Sequence, residues 1–217
     1  PMRVRVKSVE GRKLLVGNGG SKSKGKGWMS TVFKHLQSEV NILPLLRQVA
    51  ENWDDWYVKT TKQKNIRPQK ETMTIHLIEG VPLSTPERNS VKKTQRQMNA
   101  SHETIKRELY YKYDECVYFL NWFEKTYGGK LYRVSIVHLS AGGKVYPHID
   151  IGDYYKNKDR FHLVLSGYYN YTVDDETQRF GAGDLFWFDN KKIHSSINAT
   201  PIPRISLIFD VEGCTIC

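Results

Sequence analysis

Three residues in the second half of the chain have the types and spacing to hold a metal ion. His148 and Asp150 stand two apart in the segment Tyr146-Pro147-His148-Ile149-Asp150. Side chains on a β-strand alternate faces, so this pair is expected to project an imidazole and a carboxylate side by side, with Ile149 turned away. His194 follows 46 residues later. Two imidazoles and one carboxylate make the facial triad of non-haem Fe(II) oxygenases, which leaves positions on the metal open. Ten residues past His194 comes Arg204-Ile205-Ser206, opening an apolar run. Arg204 and Ser206 are expected to share a face, and a planar guanidinium beside a hydroxyl suits the far carboxylate of a dicarboxylic acid. Each feature has an ordinary reading when taken alone. A His-x-Asp arises readily in a chain with seven histidines, a single loop histidine is commonly just hydrogen-bonded, and an arginine is usually a surface cation. The order and spacing of the three features are what distinguish them.

Such a site needs strands to hold it. Strand-like runs crowd the second half, at 131–139, 144–150, 161–165, 168–173, 186–188, 195–198 and 205–211. Turn signals separate them at 140–143, at Asp174-Asp175 and at 181–184, and residues 152–159 read as a polar loop. The first half is more helical. Pro44 suits a first helical turn, and Leu45, Leu46, Val49, Ala50 and Trp53 fall on one face behind it, with Asp54-Asp55 near the end. A strand is expected over 72–78. A second helix over 101–126 places Ile105, Leu109, Tyr113, Val117, Leu120 and Phe123 on one stripe and stops at Gly128-Gly129. The polar stretch 84–99 reads as a long loop of the kind that can cover a site. Closely spaced strands after a helical part predict a mainly β chain with flanking helices, a small barrel or sandwich with helices on one side.

Composition sets the outer limits. A chain of 217 residues with 39% hydrophobic content is expected to form one domain with a proper core. No apolar run approaches the roughly 20 residues of a membrane helix, and the basic start lacks the apolar segment of a signal peptide, so a cytoplasmic protein is expected. Three cysteines, Cys116, Cys214 and Cys217, fit a reducing compartment, and the terminal Cys-x-x-Cys has no second pair to complete a zinc site. The sequons at Asn99, Asn170 and Asn198 carry little weight without a secretory route. The net charge of +10 is concentrated at the start, where residues 1–27 hold eight cations against Glu10. Residues 1–27 are therefore read as a basic, partly flexible arm that begins with a short hairpin over 3–16. The arm favours nucleic acid or ribosome as a partner, or serves only solubility. Residues 28–217 are read as the single domain, helical over 28–130 and β over 131–212.

Over residues 133–212 the chain resembles the aspartyl/asparaginyl β-hydroxylases. Val134-Ser135-Ile136-Val137-His138 looks like the family strand whose serine contacts 2-oxoglutarate. Val145-Tyr146-Pro147-His148 is similar to the segment with the first iron-ligating histidine, and 183–189 followed by His194 to the part that delivers the second. Arg160-Phe161-His162 resembles the Arg-apolar-His element lining the cosubstrate pocket. Arg204 with 207–211 resembles the 2-oxoglutarate-binding strand. Residues 1–130 show no such likeness. The chain departs from the family's best-known animal member by keeping an aspartate, Asp150, where that member has glycine.

The resemblance implies a double-stranded β-helix (jelly-roll, cupin-like) core. It implies Fe(II) held by His148, Asp150 and His194, with 2-oxoglutarate and O2 as cosubstrates. Arg204, Ser135, His162, Arg160 and Ser206 would be the cosubstrate-binding residues. The expected reaction is hydroxylation of an Asp or Asn side chain in a protein or peptide, or of a free amino acid, with release of succinate and CO2. Two other readings stand beside it. One is a non-catalytic β-helix module that binds nucleic acid or ribosome through its arm. The other is a cupin-type isomerase or dioxygenase that needs no 2-oxoglutarate.

Overall fold

A computed structural model of the chain describes residues 30–58, 67–81 and 102–216. The basic arm over 1–27 with its expected hairpin, the stretch 84–99 and Cys217 lie outside the described residues. Eleven strands are present among the described residues: β1 (Phe33–Gln37), β2 (Thr72–Gly80), β3 (Thr104–Lys106), β4 (Lys130–Leu139), β5 (Lys144–His148), β6 (Asp159–Ser166), β7 (Tyr168–Val173), β8 (Glu176–Gly181), β9 (Leu185–Phe188), β10 (His194–Ile197) and β11 (Arg204–Glu212). They form a seven-stranded sheet in the order β1-β9-β6-β11-β4-β2-β3 and a four-stranded sheet in the order β5-β10-β7-β8. All pairings are antiparallel. The eight strands from β4 to β11 divide equally between the two sheets, with β9-β6-β11-β4 opposing β5-β10-β7-β8. This is the double-stranded β-helix.

Strand β11 shows how one sheet serves two environments. Ile205, Leu207, Phe209 and Val211 point to one face, and Arg204, Ser206, Ile208 and Asp210 to the other; all but Ile208 are buried. The first face packs beneath helix α1 (Leu43–Glu51) and helix α3 (Asp114–Tyr127). Phe123 on α3 sits 4.9 Å from the Phe161 ring and 4.8 Å from the Phe209 ring, fully buried. Burial of one such side chain contributes about 1.5–3 kcal/mol. The second face looks across to the smaller sheet. There Phe33, Val164, Tyr169, Tyr171, Val173, Phe180, Phe186 and Phe188 form a separate core.

The sequence-predicted helix over 101–126 is instead a strand and two helices. Thr104–Lys106 joins the edge of β2, pairing Ile78 with Lys106, and the Arg107 N–H donates to the Leu77 carbonyl at 2.8 Å. The open edge of β2 thus takes the backbone groups that a helix would have satisfied internally. A short helix α2 (Glu108–Lys112) follows, and Tyr113 leaves helical geometry at ψ 65° before α3 begins. That break lets the buried Tyr113 hydroxyl donate to Asp55 Oδ2 at 2.9 Å, while Lys112 pairs with the same carboxylate.

Strands β1 and β8 and helix α4 (Asp153–Lys156) were not expected from the sequence. Strand β8 is an outer strand whose only buried side chain is Phe180, so it lacks a clear apolar alternation. Cys116 and Cys214 are both buried. Asn198 is fully buried with its amide nitrogen bonded to the carbonyls of Leu139, Ser140 and Ile202. That leaves no room for a glycan on the folded chain. No helix among the described residues is long and apolar enough to cross a membrane.

Candidate metal centre

The smaller sheet supplies both histidines. His148 ends β5 and is the register partner of His194, which opens β10. Their ring centroids lie 4.2 Å apart. Strand β5 is irregular just before His148, where Pro147 has no N–H to give the ladder. There the His148 Nδ1 lies 2.8 Å from the Tyr146 carbonyl, and the His194 Nδ1 lies 2.9 Å from the Lys192 carbonyl. A carbonyl can only accept, so each Nδ1 carries its proton and each Nε2 is left with a free lone pair. Fixing a ligating imidazole through its other nitrogen is how proteins set its tautomer and direction.

Asp150 reaches the pair by a route other than the expected one. The strand stops at His148, and Asp150 follows it in an irregular segment whose N–H donates to the Asn190 carbonyl at 3.2 Å. Its side chain nonetheless turns inward, Oδ1 lying 4.0 Å from His148 Nε2 and Oδ2 4.0 Å from His194 Nε2. One donor atom from each of the three residues lies within 4.8 Å of the others. Ile149 points outward, as the sequence suggested.

Burial is the largest influence on Asp150 and His194. It pushes the Asp150 carboxyl up, but Arg160, His194, His148 and the Asn190 amide together hold it below the ordinary carboxylate range. Burial also lowers the His194 imidazole to about 4 despite the opposing pull of Asp150. Near neutral pH His194 is therefore a neutral imidazole and Asp150 a carboxylate, and two imidazoles with a carboxylate make a donor set that suits a divalent transition metal such as Fe(II).

Across from the centre, on the larger sheet, Arg204 is 1% exposed. Its guanidinium lies 4.2 Å over the Tyr169 ring, and its Nη1 is 3.4 Å from Ser206 Oγ. Its Nε is buried with no hydrogen-bond partner, and no carboxylate among the described residues pairs with it. A buried guanidinium with an unsatisfied Nε and no carboxylate partner among the described residues fits an anionic ligand such as the far carboxylate of 2-oxoglutarate. A run of packed side chains links the two. Phe188 lies 5.1 Å from the His194 ring and 5.2 Å from the His162 ring, and His162 hydrogen-bonds to the Tyr169 hydroxyl at 3.0 Å. Burial, then Arg204 and Arg160, holds His162 well below its usual range, so it is neutral.

The remaining expected residues separate. Arg160 and His162 share one face of β6, facing Asp210 and Ile208 on β11. Arg160, however, spends its donors on Asp150 and Asp210. Ser135 shares the interior face, but its hydroxyl lies 3.4 Å from His76 Nδ1. Four contributors escaped the sequence reading: Asn190, Tyr169, Asp210 and Tyr154. Of these only Asp210 left a signal, as a carboxylate within an apolar strand in phase with Arg204 and Ser206.

A sequence profile described as Aspartyl/Asparaginyl beta-hydroxylase matches residues 47–213. The chain belongs to this family. As an aspartyl/asparaginyl β-hydroxylase family member it is covered from within α1 to beyond β11, so the helical layer, not only the β core, is part of the match. No curated protein matches the sequence. Among solved structures it is similar to a predicted oxalate decarboxylase from Thermotoga maritima, 18% identical over 38% of this chain and 68% of that one, TM-score 0.33. It is also similar to the Cnp3 cupin domain of Schizosaccharomyces pombe, 16% identical over 37% and 55%, TM-score 0.33. A third is a sugar phosphate isomerase of the cupin superfamily from Silicibacter pomeroyi, 22% identical over 38% and 52%, TM-score 0.31.

Proposed function

We propose that the chain is an Fe(II)- and 2-oxoglutarate-dependent hydroxylase acting on an aspartyl or asparaginyl side chain of a protein or peptide, or on a free amino acid. The observation that carries this reading is the set His148, Asp150 and His194, the last of them buried, beside an interior that also holds the Arg204 guanidinium, which no carboxylate among the described residues pairs with. When bound, iron and 2-oxoglutarate supply the oxidation, in which O2 is consumed, succinate and CO2 are released, and one oxygen atom enters a substrate C–H bond.

The chain's own part is to bind, orient and exclude. The Tyr146 and Lys192 carbonyls keep both imidazoles aimed through Nε2. Arg204 takes the far carboxylate of the cosubstrate, with Ser206 and the Tyr169 ring fixing the guanidinium plane. Neutral His162 lines that pocket without adding a charge that would compete for the carboxylate. Phe186, Phe188 and Tyr171 wall the space between the sheets and keep water away. Family membership supports the Asp or Asn target, and no feature of the described residues favours the non-catalytic module.

The test is turnover. With Fe(II), 2-oxoglutarate and air, the protein should release succinate when supplied with peptides containing Asp or Asn, and the peptide should gain the mass of one oxygen atom. His148→Ala should abolish both. Succinate release that is unchanged in His148→Ala, or no peptide oxidised in any panel while metal and 2-oxoglutarate are bound, contradicts the assignment.

A further inference from the structure

We propose that Arg160 is a positioning residue for the metal-ligating carboxylate of Asp150, not a contact of the cosubstrate, and that Asp210 and Tyr154 hold it in that task. The inference rests on the reading of His148, Asp150 and His194 as a metal centre.

Asp150 lies beyond the end of β5, where no strand ladder fixes it. Its carboxylate direction must therefore come from side chains. Oδ2 accepts from Arg160 Nη1 and from Asn190 Nδ2, the latter at 3.1 Å. Oδ1 accepts no hydrogen bond among the described residues, and it is the oxygen nearer His148 Nε2. The two oxygens thus have different jobs: Oδ2 is held and Oδ1 is left open for a cation.

The opposite edge of the Arg160 guanidinium is filled. Its Nε donates to Asp210 Oδ1 at 2.8 Å and its Nη2 to Asp210 Oδ2 at 3.1 Å, a two-pronged contact between register partners on β6 and β11. Asp210 is 1% exposed, and its Oδ2 also accepts from the fully buried Tyr154 hydroxyl at 3.0 Å. The Tyr155 ring lies 5.1 Å from the guanidinium. Turning Arg160 toward a cosubstrate would leave Asp210 as a buried carboxylate with no cation, a costly arrangement. The arginine that sequence likeness assigns to the cosubstrate pocket is therefore committed to the metal ligand. Two carboxylates can stand together here because Arg160 lies between them.

Co(II), which is stable in air and has visible absorption sensitive to ligand geometry, is the probe. The parent chain should bind it with a defined spectrum. Asp210→Asn, which touches neither the metal nor its ligands, should weaken Co(II) binding about 10–100-fold and alter the spectrum. Arg160→Lys should do the same, since an ammonium cannot bridge both carboxylates in one plane. In both variants, 2-oxoglutarate affinity at saturating Co(II) should stay within about threefold of the parent, below the change expected for a lost direct contact. Tyr154→Phe removes one hydroxyl and should show a smaller loss; it decides the matter if the other two fail to fold. Melting without metal is read alongside, because a purely structural role would lower it and leave the Co(II) spectrum of the folded fraction unchanged. Parent-like Co(II) affinity and spectrum in the folded variants overturns the inference, as does a selective loss of 2-oxoglutarate binding. A parent chain that binds no Co(II) fails the metal-centre reading itself, which is a different outcome.

Discussion

Arg204 is a buried positive charge that no carboxylate among the described residues pairs with. It is 1% exposed, its Nε has no hydrogen-bond partner among the described residues, and its neighbours there include the Tyr169 ring and the Ser206 hydroxyl. Uncompensated buried charge is destabilising by several kcal/mol, so the arrangement makes sense as a site kept ready for an anion. Arg204→Ala should raise the 2-oxoglutarate dissociation constant about 100-fold or more, as expected for losing charge-assisted hydrogen bonds. Co(II) affinity should hold, because Arg204 touches no ligand of the centre. Arg204→Lys should recover only part of the loss, because a point charge lacks the planar fork. Calorimetric titration of 2-oxoglutarate into Co(II)-loaded protein measures it, and equal affinity in all three proteins rules out the assignment.

At the scale of elements, legibility followed chemistry and periodicity. His148, Asp150, His194 and Arg204 could be picked out because few residue types ligate metals or bind carboxylates, and their order along the chain survives folding. The strands around them were legible where burial alternates or is continuous, as in β4, β6, β7 and β11. Strand β8 was not, since its residues are mostly polar and its place is fixed by ladder bonds to β7. The helix over 101–126 failed for a related reason. Its stripe was sound from Val117 to Phe123, but Ile105 is 44% exposed in a strand that completes the edge of β2, and no local pattern announces an available edge. Asp150 shows the limit most clearly. The expected pairing with His148 is present, yet it is produced by Asn190 and Arg160, 40 and 10 residues away in sequence, and not by a shared strand face. Long-range hydrogen bonds of that kind leave no spacing to read.

For the whole molecule, the interior between and around the sheets is built for neutral histidines. Burial lowers His138, His162 and His194 from their usual range, His194 to about 4. An unfolded chain would bind protons at these groups near their ordinary value of about 6.5. Between that value and the lowered ones, the unfolded state holds more protons, so stability rises with pH and falls as acid is added. The metal-free protein should thus melt at lower temperature as pH drops from about 7 to about 5, and bound metal should move the decline to lower pH because protons compete for the same nitrogens. A melting temperature flat across that interval would show that these imidazoles are not held neutral.

The most direct measurement of the centre as a whole needs no knowledge of the substrate. Fe(II) and 2-oxoglutarate are added together without oxygen, and the weak visible charge-transfer absorption of a 2-oxo acid chelating ferrous iron is followed. The parent chain should develop this absorption. His194→Ala and Asp150→Ala should not, and Arg204→Ala should need far more 2-oxoglutarate to reach it. A parent chain that binds Fe(II) yet gives no absorption, or an Asp150→Gly variant that matches the parent in both absorption and Fe(II) affinity, would contradict a centre made of His148, Asp150 and His194.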